Sequence, residues 1–289
     1  MRLLRENALR LLAGGLMLMA CAPCARAQLA APDGAYLAPA PRLEGQGPLA
    51  LAEPGDSIVV IYNHGSKQEF RRDSCAARGG AKPGVIADLA GATLASKRVA
   101  VFVYCTPSKT GTFDHRSGRG EPKIERRSKE IADLAEAYAA AGVPRRQIFL
   151  AGQSAGGWAS LLAVGRSAET PEIGGVIAFA PAFAGRRADR SPGWQMLRDR
   201  LARELAGFAY LPALVYAFEG DSLERPEDLA FLSRVPGVEF RKTGVRRIGG
   251  RDCKSKFPHF LAFDPCFRAT QASALLSFIK ARVGTGPAS

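Results

Sequence analysis

Short runs of β-branched and aromatic residues alternate with longer segments of helical periodicity along most of this chain, and that alternation admits few architectures. The strand candidates are Ser57 to Tyr62, Arg98 to Cys105, Gln147 to Ala151, Gly175 to Phe179, Ala213 to Phe218 and Val238 to Arg241. Apolar runs of this kind suit a sheet covered on both faces, and each run ends in Gly or polar residues. Between them lie helix candidates at Val85 to Ala95, Glu125 to Ala141, Ala155 to Gly165, Gln195 to Ala206, Pro226 to Ser233 and Ala269 to Val283. The longest sets Ile131, Leu134, Ala135 and Tyr138 on one face, the form of a buried stripe. Strands that alternate with helices build βαβ units, so the expectation is an α/β fold with a mostly parallel central sheet and helices on both faces.

Composition excludes the alternatives to a globular fold. With 289 residues, 47% hydrophobic and 23% charged, the chain is neither collagen-like, disordered nor a coiled coil. No internal repeat is visible, and no linker after residue 57 splits it. Residues 28–54 are rich in Ala, Pro and Gly, with prolines at 32, 39, 41, 48 and 54, and read as a tether or an irregular lead-in.

The first 27 residues read as a secretory signal peptide. Arg2, Arg5 and Arg10 precede an apolar stretch from Leu11 to Ala22, and Ala25-Arg26-Ala27 offers an A-x-A exit. The uncharged run is shorter than the ~20 residues of a spanning helix. A second processing reading stands beside it: Leu18-Met19-Ala20-Cys21 resembles a bacterial lipobox, in which lipidated Cys21 would anchor the chain to a membrane. Either reading exports the protein to an oxidising compartment, periplasmic or extracellular. There Cys75, Cys105, Cys253 and Cys266 form an even set with three possible connectivities, and the expected pairs are Cys75 with Cys105 and Cys253 with Cys266. With no CxxC pair beyond the leader and three histidines in all, no metal site is expected.

The chemistry concentrates at Gly152-Gln153-Ser154-Ala155-Gly156, a G-x-S-x-G pentapeptide between a strand candidate and a helix candidate. A tight turn there would present the Ser154 hydroxyl, and the Ala155 amide at the helix N-terminus would face a developing oxyanion. Serine needs a base to act as a nucleophile. In the arrangement built on such an elbow, the acid and then the base follow the serine along the chain. His259 alone follows Ser154, since His64 and His115 precede it. The acid candidate is Asp221, in Phe218-Glu219-Gly220-Asp221 at the end of a strand candidate, with Glu219 in reserve.

Over roughly residues 55 to 283 the chain resembles the α/β-hydrolase superfamily, and within it the small dienelactone-hydrolase-like and serine-esterase members. Besides the elbow and the Asp221 and His259 placements, the resemblance rests on Ile61-Tyr62-Asn63-His64-Gly65-Ser66, similar to the His-Gly segment that supplies an oxyanion-hole amide. It implies Gly65 or Ser66 as donors together with Ala155, a Ser154-His259-Asp221 triad, ester hydrolysis through an acyl-enzyme, and no cofactor. The Gly-rich run of lipases and the cysteine nucleophile of dienelactone hydrolase itself are absent from the motif. A serine peptidase, an acyltransferase or a non-catalytic envelope-binding lipoprotein are the alternatives.

The formal net charge of +13 favours anionic partners. Arg241, Lys242, Arg246, Arg247, Arg251, Lys254 and Lys256 crowd the approach to His259, either to attract an anionic small-molecule or polymer ester or as a solvated basic loop. Export disfavours nucleic acid as a partner. Thr106 to Lys123 is a candidate rim loop, and Trp158 reads as core.

Overall fold

The computed structural model describes residues 33–41, 43, 47, 49–66, 82–106, 113–114, 116–117, 119–167, 173–244, 247–248, 251–252 and 257–283. The leader, Cys21, Cys75 and Cys253 fall outside them. Eight strands form one sheet. β1 (Gly34–Tyr36), β2 (Ser57–Asn63), β3 (Thr93–Leu94), β4 (Lys97–Tyr104), β5 (Ile148–Gln153), β6 (Gly175–Phe179), β7 (Ala213–Phe218) and β8 (Val238–Thr243) lie in the order β1-β4-β2-β5-β6-β7-β8, with β3 also on β4. The pairings from β4 through β8 are all parallel, while β1 and β3 run antiparallel to β4.

Alternation along the strands divides the core into two layers. Val59 and Ile61 of β2 join Phe102, Leu150 and Val215 under α2 (Lys123–Ala140), α3 (Ala155–Arg166) and α4 (Pro192–Ala206). Ile58, Val60 and Tyr62 join Val101, Phe149 and Ile177 under the short helix α1 (Gly84–Ala87) and the last helix α6 (Pro265–Val283). Both faces of the central strands are therefore dry, which is why their sequences are continuous apolar runs.

Several boundaries differ from the sequence reading, each for a local reason. α4 begins at Pro192, not Gln195, because Ser191 caps it with its side-chain oxygen accepting from Trp194 N–H at 3.5 Å and Pro192 suits the first turn. α6 begins at Pro265, not Ala269, and Asp264 accepts from Cys266 N–H at 2.8 Å. The Val85 to Ala95 helix is one turn only. Gly91 takes φ +73°, and Ala95 and Ser96 at φ +48° and +63° turn β3 back into β4. The Pro226 to Ser233 segment splits into α5 (Pro226–Leu229) and a 3₁₀ turn, Ala230–Arg234.

The larger correction concerns the stretch read as a tether over 28–54. Gly34, Ala35 and Tyr36 pair with Tyr104, Val103 and Phe102, and Leu37 and Leu51 are buried. The Tyr36 and Tyr138 hydroxyls share a buried hydrogen bond of 2.9 Å, and the Tyr36 ring packs edge-on against Phe102. Gly34–Tyr36 therefore belong to the central sheet, and three strand residues are too few to show periodicity among the prolines. Cys105, at the end of β4, and Cys266, in the first turn of α6, are each disulfide-bonded. The expected partners, Cys75 and Cys253, lie outside the described residues, and the pairings are not placed.

The seat of β1 depends on Gly34, where a Cβ would come within 2.4 Å of the Val103 carbonyl oxygen and 2.6 Å of the Phe102 ring. Gly34→Ala is expected to cost about 1–3 kcal/mol through overpacking and to lower Tm by roughly 2–4 °C per kcal/mol, as measured by thermal unfolding.

Candidate active site

Between the end of β5 and the start of α3 stands a single residue, Ser154, at φ 56° and ψ −124°. Such backbone costs about 1–3 kcal/mol and persists only where neighbours over-determine it. Three backbone hydrogen bonds do so. Ser154 N–H donates to Phe179 O at 3.0 Å, and its carbonyl accepts from Trp158 N–H and Ala182 N–H, both at 3.1 Å. The flanking glycines serve close approach. A Cβ on Gly152 would lie 2.4 Å from the Gly156 carbonyl carbon, and one on Gly156 would lie 2.0 Å from the Asn63 carbonyl oxygen at the end of β2.

The structure brings the three sequence candidates together. His259 Nε2 lies 2.9 Å from Ser154 Oγ, and His259 Nδ1 lies 2.7 Å from Asp221 Oδ2. An Nδ1–H that donates to the carboxylate leaves Nε2 as the acceptor facing the hydroxyl. Ser154 Oγ is also 3.3 Å from the Ala182 carbonyl oxygen. Asp221 is 1% exposed in the turn after β7, where its other oxygen accepts from Leu223 N–H at 2.8 Å. His259 sits in a 3₁₀ turn, Pro258–Phe263, that leads into α6, and its carbonyl accepts from Gln153 Nε2 at 3.2 Å. Glu219, the reserve acid, points away and lies 3.5 Å from Lys242.

Beneath the Asp221 turn, Glu224 is fully buried between Arg190 at 2.6 Å and Arg198 at 2.9 Å. Burial pushes its carboxyl up, against the pull of both guanidinium groups. Arg198 in turn lies over the Trp158 ring, and Trp158 is core.

Gly65 and Ser66 border the same cavity as Ser154, and Ala155 is the buried first residue of α3. A Cβ on Gly65 would sit 2.4 Å from Gln153 Oε1 and 3.2 Å from Ser154 Cβ, so this glycine lets β2's exit pass against the serine. The preceding His64 is buried and its Nδ1–H donates to Gly65 O at 2.8 Å, while buried Arg127 of α2 donates to His64 O. His64 is not brought to Ser154 and takes no place among the three.

The cavity, about 480 Å³, is lined by Ser154, Ala182, Phe183, Arg186, Ser222, Leu223, Phe257 and Phe260 among others. Sequence reasoning missed Ala182, Phe183 and Arg186. The signal was their place just after β6, since sites in parallel sheets open at the carboxyl ends of strands. No described residue of Thr106 to Lys123 lines the cavity. Of the basic cluster, Arg241 pairs with Glu239 at 3.6 Å and Lys242 with Glu227 at 3.2 Å; Arg246, Lys254 and Lys256 lie outside the described residues. Among the described residues no group of three His, Cys, Asp or Glu is placed to hold a metal.

Burial, and secondarily Arg127, pushes the His64 imidazole from 6.5 down to about 3. Unfolding restores the higher value, so the unfolded chain binds the proton more readily. Stability is therefore complete above pH ~6.5 and drains away as pH falls toward 3, with a slope of up to ~1.4 kcal/mol per pH unit. Urea midpoints taken from pH 7 to pH 4 are expected to follow this slope, and His64→Asn to flatten it.

No family model and no curated protein sequence matches this chain. Among solved structures, DcsB in complex with its substrate analogue is 14% identical and aligns over 79% of this chain and 92% of its own, with a TM-score of 0.53. A structure from an analysis of two fungal esterases from Rhizomucor miehei is 17% identical over 88% and 85%, with a TM-score of 0.49. The monoacylglycerol lipase of Paleococcus ferrophilus is 17% identical over 76% and 94%, with a TM-score of 0.48. The parallel sheet order, the serine elbow between β5 and α3, and the acid and histidine that follow it in the turns after β7 and β8 give this chain the α/β-hydrolase fold.

Proposed function

We propose that this protein is a serine hydrolase that cleaves carboxylic esters by two-step acyl transfer. The observation that carries the reading is the imidazole of His259 held between Ser154 Oγ at 2.9 Å and Asp221 Oδ2 at 2.7 Å on the wall of one cavity. Ser154 Oγ attacks the ester carbonyl while His259 Nε2 takes its proton. The alkoxide then leaves with that proton as the alcohol, and an acyl-serine remains. Water repeats the attack through the same base, which frees the acid and restores the hydroxyl. Asp221, anchored by Leu223 N–H, fixes the tautomer and stabilises the imidazolium. The Ala155 amide and an amide at Gly65 or Ser66 hold the oxyanion in both steps.

A peptidase or an acyltransferase uses the same acyl-serine and differs in the acceptor and in the pocket. A non-catalytic envelope-binding protein has no use for an aligned serine, imidazole and carboxylate, and that alignment supports the enzyme. We further infer export, from the leader-like residues 1–27, with Cys21 as a lipidation site if the lipobox is processed. Disulfide-bonded Cys105 and Cys266 suit the oxidising compartment it leads to.

Labelling with a fluorophosphonate tests the reading. One adduct is expected on Ser154, mapped by peptide mass, with none in Ser154→Ala, and ester turnover is expected to fall by roughly four orders of magnitude or more in that variant. An unlabelled, folded wild type would remove the mechanism and leave the binding protein in its place.

A further inference from the structure

The loop after β6 carries three arginines close to the cavity, and their surroundings differ. Arg190 is buried on Glu224 at 2.6 Å, and Arg187 lies 3.7 Å from Asp228. Arg186 is exposed at the mouth of the cavity, lines it together with Ser154 and His259, and has no carboxylate partner among the described residues. Among the described lining residues it is the one arginine or lysine, and none of them is an Asp or Glu. Asp221 does not line the cavity and is occupied by His259 and Leu223 N–H.

Arg186 is not loosely tethered. Gly185, at φ +77°, turns the chain, and Asp189 N–H donates to Arg186 O at 3.0 Å. Arg187 N–H donates to Ser222 O at 3.1 Å, so the backbone beside Arg186 is tied to the residue after Asp221. The backbone that carries Arg186 is therefore set relative to the Asp221 turn, and the exposed side chain lines the cavity from there. Half-buried Phe183 and Leu223 and exposed Phe257 and Phe260 give the cavity apolar walls beside Ser66, Gln153 and Ser222. A guanidinium set in such walls favours a carboxylate or phosphate, which it can grip with two parallel hydrogen bonds.

We propose that the site takes apolar esters that carry an anionic group, a carboxylate or a phosphate, with Arg186 holding the anion while the ester carbonyl lies at Ser154. The proposal rests on the acyl-transfer reading above and adds the substrate class to it. Arg186 is then a specificity residue that contacts substrate away from the reacting atoms.

The test compares matched esters. Mono-4-nitrophenyl adipate against 4-nitrophenyl hexanoate places the anion on the acyl side. The pair 4-carboxyphenyl hexanoate and 4-acetylphenyl hexanoate places it on the leaving group. The readout is the ratio of kcat/KM for the anionic ester to that for its neutral partner. In the wild type, one pair is expected to show a ratio above one that falls with added salt. Arg186→Gln is expected to lower that ratio about 10- to 100-fold, with Arg186→Lys between the two. The pair that responds identifies which side of the ester carries the anion. Ratios that Arg186→Gln leaves unchanged in both pairs would overturn the proposal while the hydrolase reading stands. No turnover of any of the four esters, with no fluorophosphonate adduct on Ser154, would overturn both.

Discussion

Three backbone segments cross within van der Waals contact at the elbow: the end of β2, the end of β5 and the first turn of α3. No side chain fits between them, and the Gly156 Cα stands where a Cβ would come within 2.0 Å of the Asn63 carbonyl oxygen. This crossing holds Ser154 in its costly backbone geometry and brings Gly65 against its side chain. It also makes the helix N-terminus and the exit of β2 two sides of one small volume beside Ser154.

The remaining parts reach that volume from the carboxyl ends of other strands. The turn after β7 brings the carboxylate, the 3₁₀ turn before α6 brings the imidazole, and the loop after β6 brings the apolar wall and Arg186. A parallel sheet makes this economical, because every strand delivers its exit loop to the same edge. The loops are tied to one another as well as to the sheet, by Gln153 to the His259 carbonyl, by Arg187 N–H to Ser222, and by Arg190 and Arg198 closing on Glu224. The last of these is a buried charge cluster whose carboxylate burial opposes, so its worth is positional more than energetic.

What the sequence showed and what it hid divide along the range of the interactions. The elbow was legible because its signals are local: a strand, two glycines, a serine and a helix start within a dozen residues. His259 and Asp221 were legible through chain order. β1 was not, because Gly34 to Tyr36 become a strand only against Val103 and Phe102, some seventy residues on. The Val85 to Ala95 segment has helical composition, but Gly91 and the turn at Ala95 and Ser96 take it into a hairpin that β4 completes. The crowd of basic residues from Arg241 onward drew attention in the sequence, yet Arg241 pairs with Glu239 of the same strand and Lys242 with Glu227 of α5. Arg186 had no pattern to announce it, since its distinction lies in what is absent around it.

His259 stands 105 residues from Ser154 and 38 from Asp221 along the chain. Short peptides hold none of these pairs together, and β6, β7 and β8 must all be zipped onto the sheet before the imidazole reaches the hydroxyl. On the acyl-transfer reading proposed above, Ser154 is an ordinary alcohol until β8 and the Pro258–Phe263 turn have docked. On that reading, chemical reactivity at that one atom is a report on the completion of the whole topology, and a chain still folding carries no hydrolytic hazard to its surroundings.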